Sequence, residues 1–369
     1  MVFGRRALEG VASMSAHAWS GRSVLLTGHT GFKGSWLSLM LRGLGARVHG
    51  YALDPIGEPS LFERGRIAET LATDCRANLL DLPTLTAALE RAAPEVVLHL
   101  AAQPLVKVGY ADPVGTFATN VMGTAHLLEA CRRVGSVKAI IVVTTDKVYR
   151  NEEDGQAYAE SEPLGGHDPY SASKAAAEIV SASYRSSYLH GVVPLATARA
   201  GNVLGGGDWA ADRLVPDCIR AFEAGETVHL RRPGAIRPWQ HVLEPLSGYL
   251  TLAEHLLASD GEKYAQAWNF GPEPSSVCTV EEVAIQVAEL WGAGAKVTAS
   301  HEEGFHEAGV LRLDSSKAAS LLQWHPRWTL SQALGATVEW HKSFRAGEDM
   351  QRVCERQIEA YAQGRVAHG

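Results

Sequence analysis

One short segment restricts this chain more than any other. An aliphatic run over residues 23–27 leads straight into Thr27-Gly28-His29-Thr30-Gly31-Phe32-Lys33-Gly34, and residues 34–43 follow with helical apolar spacing. Gly28, Gly31 and Gly34 thus stand in a G-x-x-G-x-x-G turn between a strand and a helix. The first glycine permits the tight turn, the second lets an anion approach the backbone, and the third lets the helix pack on the strand. A helix start leaves backbone N–H groups without partners and carries partial positive charge, so such a turn receives phosphate. Glycine is abundant to match, at 36 of 369 residues, about 10% against a usual ~7%.

The alternation continues beyond this turn. Residues 47–53, 95–100 and 139–144 read as further strands, and residues 84–92 and 114–134 as helices between them. A βαβα order predicts an α/β fold, a Rossmann-like doubly wound parallel sheet with helices on both faces. Asp54 lies 26 positions past Gly28, just after the second strand. A carboxylate there accepts from a ribose 2′-OH and repels a 2′-phosphate, which favours NAD over NADP; a turn-former before Pro55 is the plainer reading. A polar loop over 145–168, a helix from Pro169 and a strand near 192–199 follow, then the glycine-rich segment Gly201 to Asp208. The proline-punctuated remainder reads as a smaller mixed α/β substrate-binding lobe over the C-terminal edge of the sheet. The expected division is an N-terminal extension at 1–20, an NAD-binding domain at 21–200, and a lobe at 201–369 with some segments returning to the large domain.

Composition excludes several classes. Lysine and arginine total 34 against 41 acidic residues, a net charge of −7, so no overall field draws the chain to nucleic acid or an anionic membrane. Five cysteines without a C-x-x-C pair read as reduced residues of a cytoplasmic protein, not a disulfide or zinc framework. No apolar run has the length of a membrane span or a signal-peptide core. His301 to His306 does not have the H-E-x-x-H spacing, so no metal is expected.

Chemistry concentrates in two motifs. Tyr170-Ser-Ala-Ser-Lys174 opens the helix after Pro169, with its phenol and ammonium on one face. A nearby ammonium favours the phenolate and makes tyrosine a usable general base. At the end of a sheet strand stand Thr144, Thr145, Asp146 and Lys147, where side chains face a cofactor crevice. Together with the glycine turn these pieces resemble the extended short-chain dehydrogenase/reductase family, and within it the nucleotide-sugar 4,6-dehydratases. The likeness extends through Ala101-Ala-Gln-Pro-Leu105, Gly201 to Trp209 and Ile236 to Val242, and covers about residues 19–360. The Asp146-Lys147 pair is similar to the branch acting on CDP-glucose; the dTDP-glucose and GDP-mannose relatives carry Asp-Glu or Ser-Glu types.

That resemblance implies a reaction and a set of roles. Thr145 hydrogen-bonds the sugar oxygen being oxidised, Tyr170 takes its proton, and NAD takes the hydride from C4. The C5 proton, now α to a ketone, leaves to a base, while an acid protonates the departing C6 hydroxyl and the hydride returns to C6. Asp146 is the candidate acid, which needs a desolvated site to stay protonated. Lys147 is either the base, which must be neutral, or a cation stabilising the enolate; an ion pair with Asp146 is the plain alternative. The products would be CDP-4-dehydro-6-deoxyglucose and water, for bacterial deoxysugar and O-antigen synthesis.

The resemblance also implies contacts. Cofactor contacts fall on Gly28, His29, Thr30, Gly31, Phe32, Lys33, Gly34, Asp54, Asn78, Leu79, Leu100, Ala101, Ala102, Gln103, Asn120, Thr144, Tyr170 and Lys174. His29 and Lys33 would lie near the pyrophosphate, with a solvated Lys33 as the alternative. Substrate contacts fall on Gln103, Asn202, Trp209, Arg213, Arg237 and Glu307, the arginines meeting the diphosphate. A homodimer or homotetramer is implied. The rivals are an epimerase or dehydratase for another nucleotide sugar, and a non-catalytic NAD sensor, for which Thr145, Asp146, Tyr170 and Lys174 would have no use.

Overall fold

Seven strands form the central sheet: Ser23–Thr27 (β1), Arg47–Ala52 (β2), Thr73–Arg76 (β3), Val96–His99 (β4), Ala139–Val143 (β5), Leu195–Ala200 (β6) and Ala267–Phe270 (β7). The computed structural model describes residues 16–292, 294–299 and 309–364. All six pairings in this sheet are parallel, in the order β3-β2-β1-β4-β5-β6-β7. The order reverses between β1 and β4, and ligands of such sheets bind beyond the strand ends at that point. Register brings Thr27 level with His99, and His99 level with Val142. Gly28, Leu100 and Thr144 therefore sit along one rim.

Successive strand residues point to opposite faces. Val24 and Leu26 of β1 join one core with Trp36 and Met40 of helix Phe32–Gly43 and Leu246 of helix Leu243–Leu256. Leu25 joins the other core with Leu89 of helix Leu82–Ala92 and Leu127 and Leu128 of helix Gly123–Arg133. Both faces are covered, which is why the strands are so uniformly apolar. The helix expected at 114–134 opens at Pro113, capped by Asp112, and carries a π-helical turn at Ala118–Met122. Such turns displace one residue from the regular ladder and often mark functional segments.

Two sheet strands have no clear sequence signal. Thr73–Arg76 is a half-exposed edge strand without an apolar run, and Ala267–Phe270 is short and set by pairing with distant β6. The chain after residue 200 thus returns both β7 and helix Leu243–Leu256 to the large domain. The lobe itself is built on Asn202–Leu204, Ile236–His241 and Val277–Thr279, with a second pair formed by Thr227–Leu230 and Lys296–Ala299. Its core joins Ile219, Phe222, Val283, Val287 and Leu334.

The glycine-rich segment after β6 is clamped from two directions. Trp36 Nε1 donates to the Gly206 carbonyl at 2.9 Å, while a Cβ on Gly206 would stand 1.9 Å from Cγ of Trp340 in helix Leu330–Arg345. Only glycine fits between them. No helix among the described residues is long and apolar enough to cross a membrane. Cys131, Cys218 and Cys354 are buried, Cys75 and Cys278 half-buried, and all five are free thiols.

Candidate active site

The turn after β1 is a cradle made of backbone. Gly28 adopts φ +75° and donates its N–H to the Tyr51 carbonyl at 2.9 Å. A Cβ there would stand 2.7 Å from the Ala101 nitrogen, and one on Gly34 would stand 2.0 Å from the Gly28 oxygen. Gly31 caps helix Phe32–Gly43 without a side-chain hydrogen bond, so the first N–H groups of the helix remain available to an anion. Thr27 Oγ1 accepts from the Ala101 N–H and contacts His99 Nδ1 at 2.7 Å; His99 Nε2 reaches Thr124, tying β1, β4 and helix Gly123–Arg133 together.

The adenosine end of the rim is polar. Asp54 is exposed beyond β2, 3.2 Å from Arg76, which also holds Asp74. Asn78 accepts the Leu80 N–H, and Leu79 is buried against Gly123. His29, expected near the pyrophosphate, turns its ring away from the open side of the turn. It is fully buried, hydrogen-bonded to Asp74 at 2.8 Å and edge-on to Phe62. Its imidazole fills the space above Gly50, under the turn instead of on its open side.

At the catalytic rim, local chemistry fixes the helix start. Pro169 occupies the first turn of helix Pro169–Tyr184, and Asp168 caps it by accepting the Ser171 N–H at 3.0 Å. Tyr170, Lys174 and Glu178 then stack one turn apart. Tyr170 lies near enough to Thr145 to feel its hydroxyl, and that hydroxyl donates to Asp146 Oδ1 at 2.9 Å. Burial pushes the Tyr170 phenol up to about 12, against the pull of Thr145. Lys174 donates to the Val143 carbonyl at 2.9 Å, and burial brings it down to about 8 while Glu178 opposes. Asp146 is 1% exposed and its Oδ2 has no hydrogen-bond partner among the described residues. Desolvation raises its pKa, opposed chiefly by Lys147 and the Thr145 hydrogen bond. Desolvation of this kind moves a carboxyl toward the protonated form that a general acid needs.

Cations surround this acid. Lys147 stands half-buried on the single turn Asp146–Val148. Lys33 reaches in from the glycine turn, its ammonium 6.0 Å from the Tyr249 ring centroid. Burial, with Arg213 and Lys174 adding like charge, lowers its pKa to about 7. Its charge is felt at Asp146, so it belongs to the catalytic cluster and not to a solvated surface. Arg213 is held by Asp208 at 2.8 Å and lies near enough to influence Tyr170. Arg237 is buried, donates to the Ile236 and Gly309 carbonyls, and faces Asp146. Asn202 pairs in register with Trp239, two residues from Arg237. Glu307 lies outside the described residues.

Three expected contacts are committed elsewhere. The Gln103 amide bonds the Leu105 backbone on both sides and Thr116, so it shapes its own loop. Asn120, on the π-helical turn, is 1% exposed; it holds the Gln103 backbone and Ser173 Oγ at 2.8 Å, one layer behind the crevice. Trp209 packs into an aromatic cluster with Trp340, His341 and Phe344. In each case spacing locates the residue, while the direction of its side chain depends on distant partners.

The sequence reading also passed over a buried ion pair. Glu178 meets Arg199 of β6 at 2.9 Å, and Arg199 continues to the Tyr149 hydroxyl at 2.9 Å. The i, i+4 spacing from Lys174 marks Glu178, but nothing local marks its partner.

Comparison with known proteins agrees with this geometry. The sequence model of the GDP-mannose 4,6 dehydratase family matches residues 25–337. CDP-glucose 4,6-dehydratase of Salmonella typhimurium is 49% identical over 350 residues, 93% of this chain and 97% of that one. dTDP-glucose 4,6-dehydratase of Streptomyces antibioticus is 29% identical, covering 74% of this chain and 77% of its own. Among solved structures, the Thermus thermophilus UDP-glucose 4-epimerase complex with NAD superposes with a TM-score of 0.72 at 26% identity, over 86% of this chain and 97% of that chain. With its glycine cradle, its reversed strand order and a Thr-Asp-Lys and Tyr-Lys rim in one crevice, the chain belongs to the GDP-mannose 4,6 dehydratase family of nucleotide-sugar enzymes.

Proposed function

We propose that this chain is an NAD-dependent hydro-lyase that converts CDP-glucose to CDP-4-dehydro-6-deoxyglucose and water. One observation carries the reading: a buried Tyr170 gathered with Thr145 and a desolvated Asp146, to which the Thr145 hydroxyl donates. An epimerase needs the first two groups and has no use for a protonated acid beside them. The match of 49% identity with the Salmonella enzyme across 93% of the chain supports CDP-glucose as the donor.

The residues present fit NAD. A side chain at Gly28 or Gly34 would fill the cradle that a pyrophosphate requires, and Asp54 stands where it meets a ribose hydroxyl. Gly28, Gly31, Gly34 and the helix start would hold the phosphates, and Lys174 the second ribose. When bound, NAD supplies the acceptor for the C4 hydride and the donor that returns it to C6. Thr145 orients the C4 hydroxyl and Tyr170 accepts its proton. Lys147 takes the C5 proton and, once water has left, returns a proton to C5. Asp146 gives its proton to the C6 hydroxyl as that group leaves, and water departs. Arg213 and Arg237 meet the diphosphate, so a chain with net charge −7 still holds a dianion through locally placed guanidiniums.

The test is purified protein incubated separately with CDP-, dTDP-, UDP- and GDP-hexoses. Loss of one water from CDP-glucose without net NADH is the expected result; turnover of only another donor overturns it. The five free thiols fit work in the cytoplasm, and the product is suited to deoxysugar supply for a bacterial surface polysaccharide.

The same reading includes a homodimer or homotetramer. Val114, Phe117 and Met122 on the helical segment from Pro113 and Ile179 on helix Pro169–Tyr184 leave large apolar side chains exposed on neighbouring helices. Ile179→Asp is expected to move the protein to monomer mass by sedimentation velocity. An unchanged oligomer, or a wild-type monomer, would remove this face from assembly.

A further inference from the structure

We propose that Glu178 is a positioning residue for the reaction: its buried carboxylate ties Thr144 to Arg199 of β6 and so seats the helix that carries Lys174 at the crevice. The inference rests on reading Tyr170 and Lys174 as the proton-handling pair. Glu178 lies one helical turn past Lys174 and is 4% exposed. Its Oε1 accepts from the Thr144 hydroxyl and from Arg199 Nε at 3.0 Å. Its Oε2 accepts from Thr197 at 2.7 Å and from the second Arg199 nitrogen at 2.9 Å. A carboxylate has about four acceptor positions, and all are used.

The consequence is a joint between three elements. The catalytic helix, the end of β5 through Thr144, and β6 through Thr197 and Arg199 meet on one carboxylate. Arg199 extends the joint to Tyr149, and Tyr149 donates to Asn269 Oδ1 of β7 at 2.6 Å. A buried ion pair adds little stability compared with apolar packing of the same volume. Its physical effect here is registry and local field.

That field acts on Lys174. Of the charged groups around it, Glu178 is the negative one that supports its ammonium. Lys33 from the glycine turn is of like sign. His99 of β4 is neutral, because burial drives it to about 3. Asp146 on the turn after β5 instead faces Lys147, Arg237 and Lys33. Glu178 itself faces Arg199 and Arg185. Its own pKa lies below the usual carboxylate value despite burial, chiefly through Arg199 and the two threonine hydroxyls, so it is charged at neutral pH. Removing a neighbouring negative charge makes an ammonium release its proton at lower pH.

The experiment is the pH profile of kcat/KM for Glu178→Gln and Glu178→Asp in the full-length holoenzyme, with circular dichroism melts alongside. Glu178→Gln is expected to move the acid limb down by about one pH unit, the size of shift one buried charge produces, and to lower the plateau. Glu178→Asp keeps the charge, so its limb stays at the wild-type pH while its plateau falls. The double variant Glu178→Gln/Arg199→Gln removes the pair together and avoids an unpaired buried charge; its limb also moves down, since Lys174 responds to Glu178. A limb at the wild-type pH in a folded Glu178→Gln or double variant overturns the proposal. Wild-type enzyme that turns over no nucleotide sugar would fail the functional reading instead, which keeps the two apart.

Discussion

Tyr170→Phe is expected to fold normally and to lose roughly 10² to 10⁴-fold in turnover, the usual contribution of a positioned proton acceptor. The residue is 8% exposed, and phenylalanine keeps its ring, so packing and melting temperature stay close to wild type. What disappears is the phenol oxygen beside Thr145. The pH dependence follows from the two shifts at this site. Burial holds the phenol at about 12 and brings the Lys174 ammonium to about 8. Lys174 therefore loses its proton at the lower pH of the two, and Tyr170 serves as the acceptor of the C4 hydroxyl proton once it has. Wild-type kcat/KM should rise with pH through that range and level off above it. The residual activity of Tyr170→Phe should lack this limb. A variant with wild-type turnover would exclude Tyr170 as the acceptor.

Asp146→Asn separates the two halves of the chemistry. Asparagine keeps the shape and can accept the Thr145 hydrogen bond, but it has no carboxyl proton to give. Oxidation at C4 and exchange of the C5 proton should continue, while loss of water falls by at least roughly 10²-fold. In D2O the recovered CDP-glucose should carry deuterium at C5, detected by mass spectrometry. Lys147→Met should show the converse, losing the exchange itself; exchange that persists would return Lys147 to an electrostatic role. Stability moves the other way. Burial raises the Asp146 pKa above its unfolded value, so the stability it contributes is present at low pH and is lost as pH rises through the folded pKa. Asp146→Asn should therefore melt at or above the wild-type temperature at neutral pH. Unimpaired water loss would assign the acid to another group.

The sequence makes the architecture legible where local chemistry dictates it. The turn at Gly28 to Gly34 can be read because close backbone approach admits no other residue at those points. Asp168 and Pro169 likewise announce the helix that carries Tyr170 and Lys174. The unread parts depend on partners remote in the chain. Thr73–Arg76 is a strand because β2 lies beside it, not because of its own residues. Gln103 and Asn120 carry the right chemistry in the right place, yet Asn120 spends its amide on the Gln103 backbone and Gln103 spends its own on Leu105 and Thr116. Lys33 and His29 sit four residues apart on one turn; one enters the catalytic cluster and the other dives beneath the loop toward Asp74.

Gly206 gives the C-terminal part of the chain an unexpected share in catalysis. Every residue assigned to the chemistry precedes Val242, but the segment that carries Asn202, Asp208 and Arg213 is seated by Trp340 on one side and Trp36 on the other. Trp36 belongs to the same helix that Gly31 caps. The two tryptophans thus work as a vice that seats the segment between them from residues 36 and 340 of the chain. A chain cut short after the last catalytic motif would retain the whole chemical vocabulary and lose one jaw of that vice.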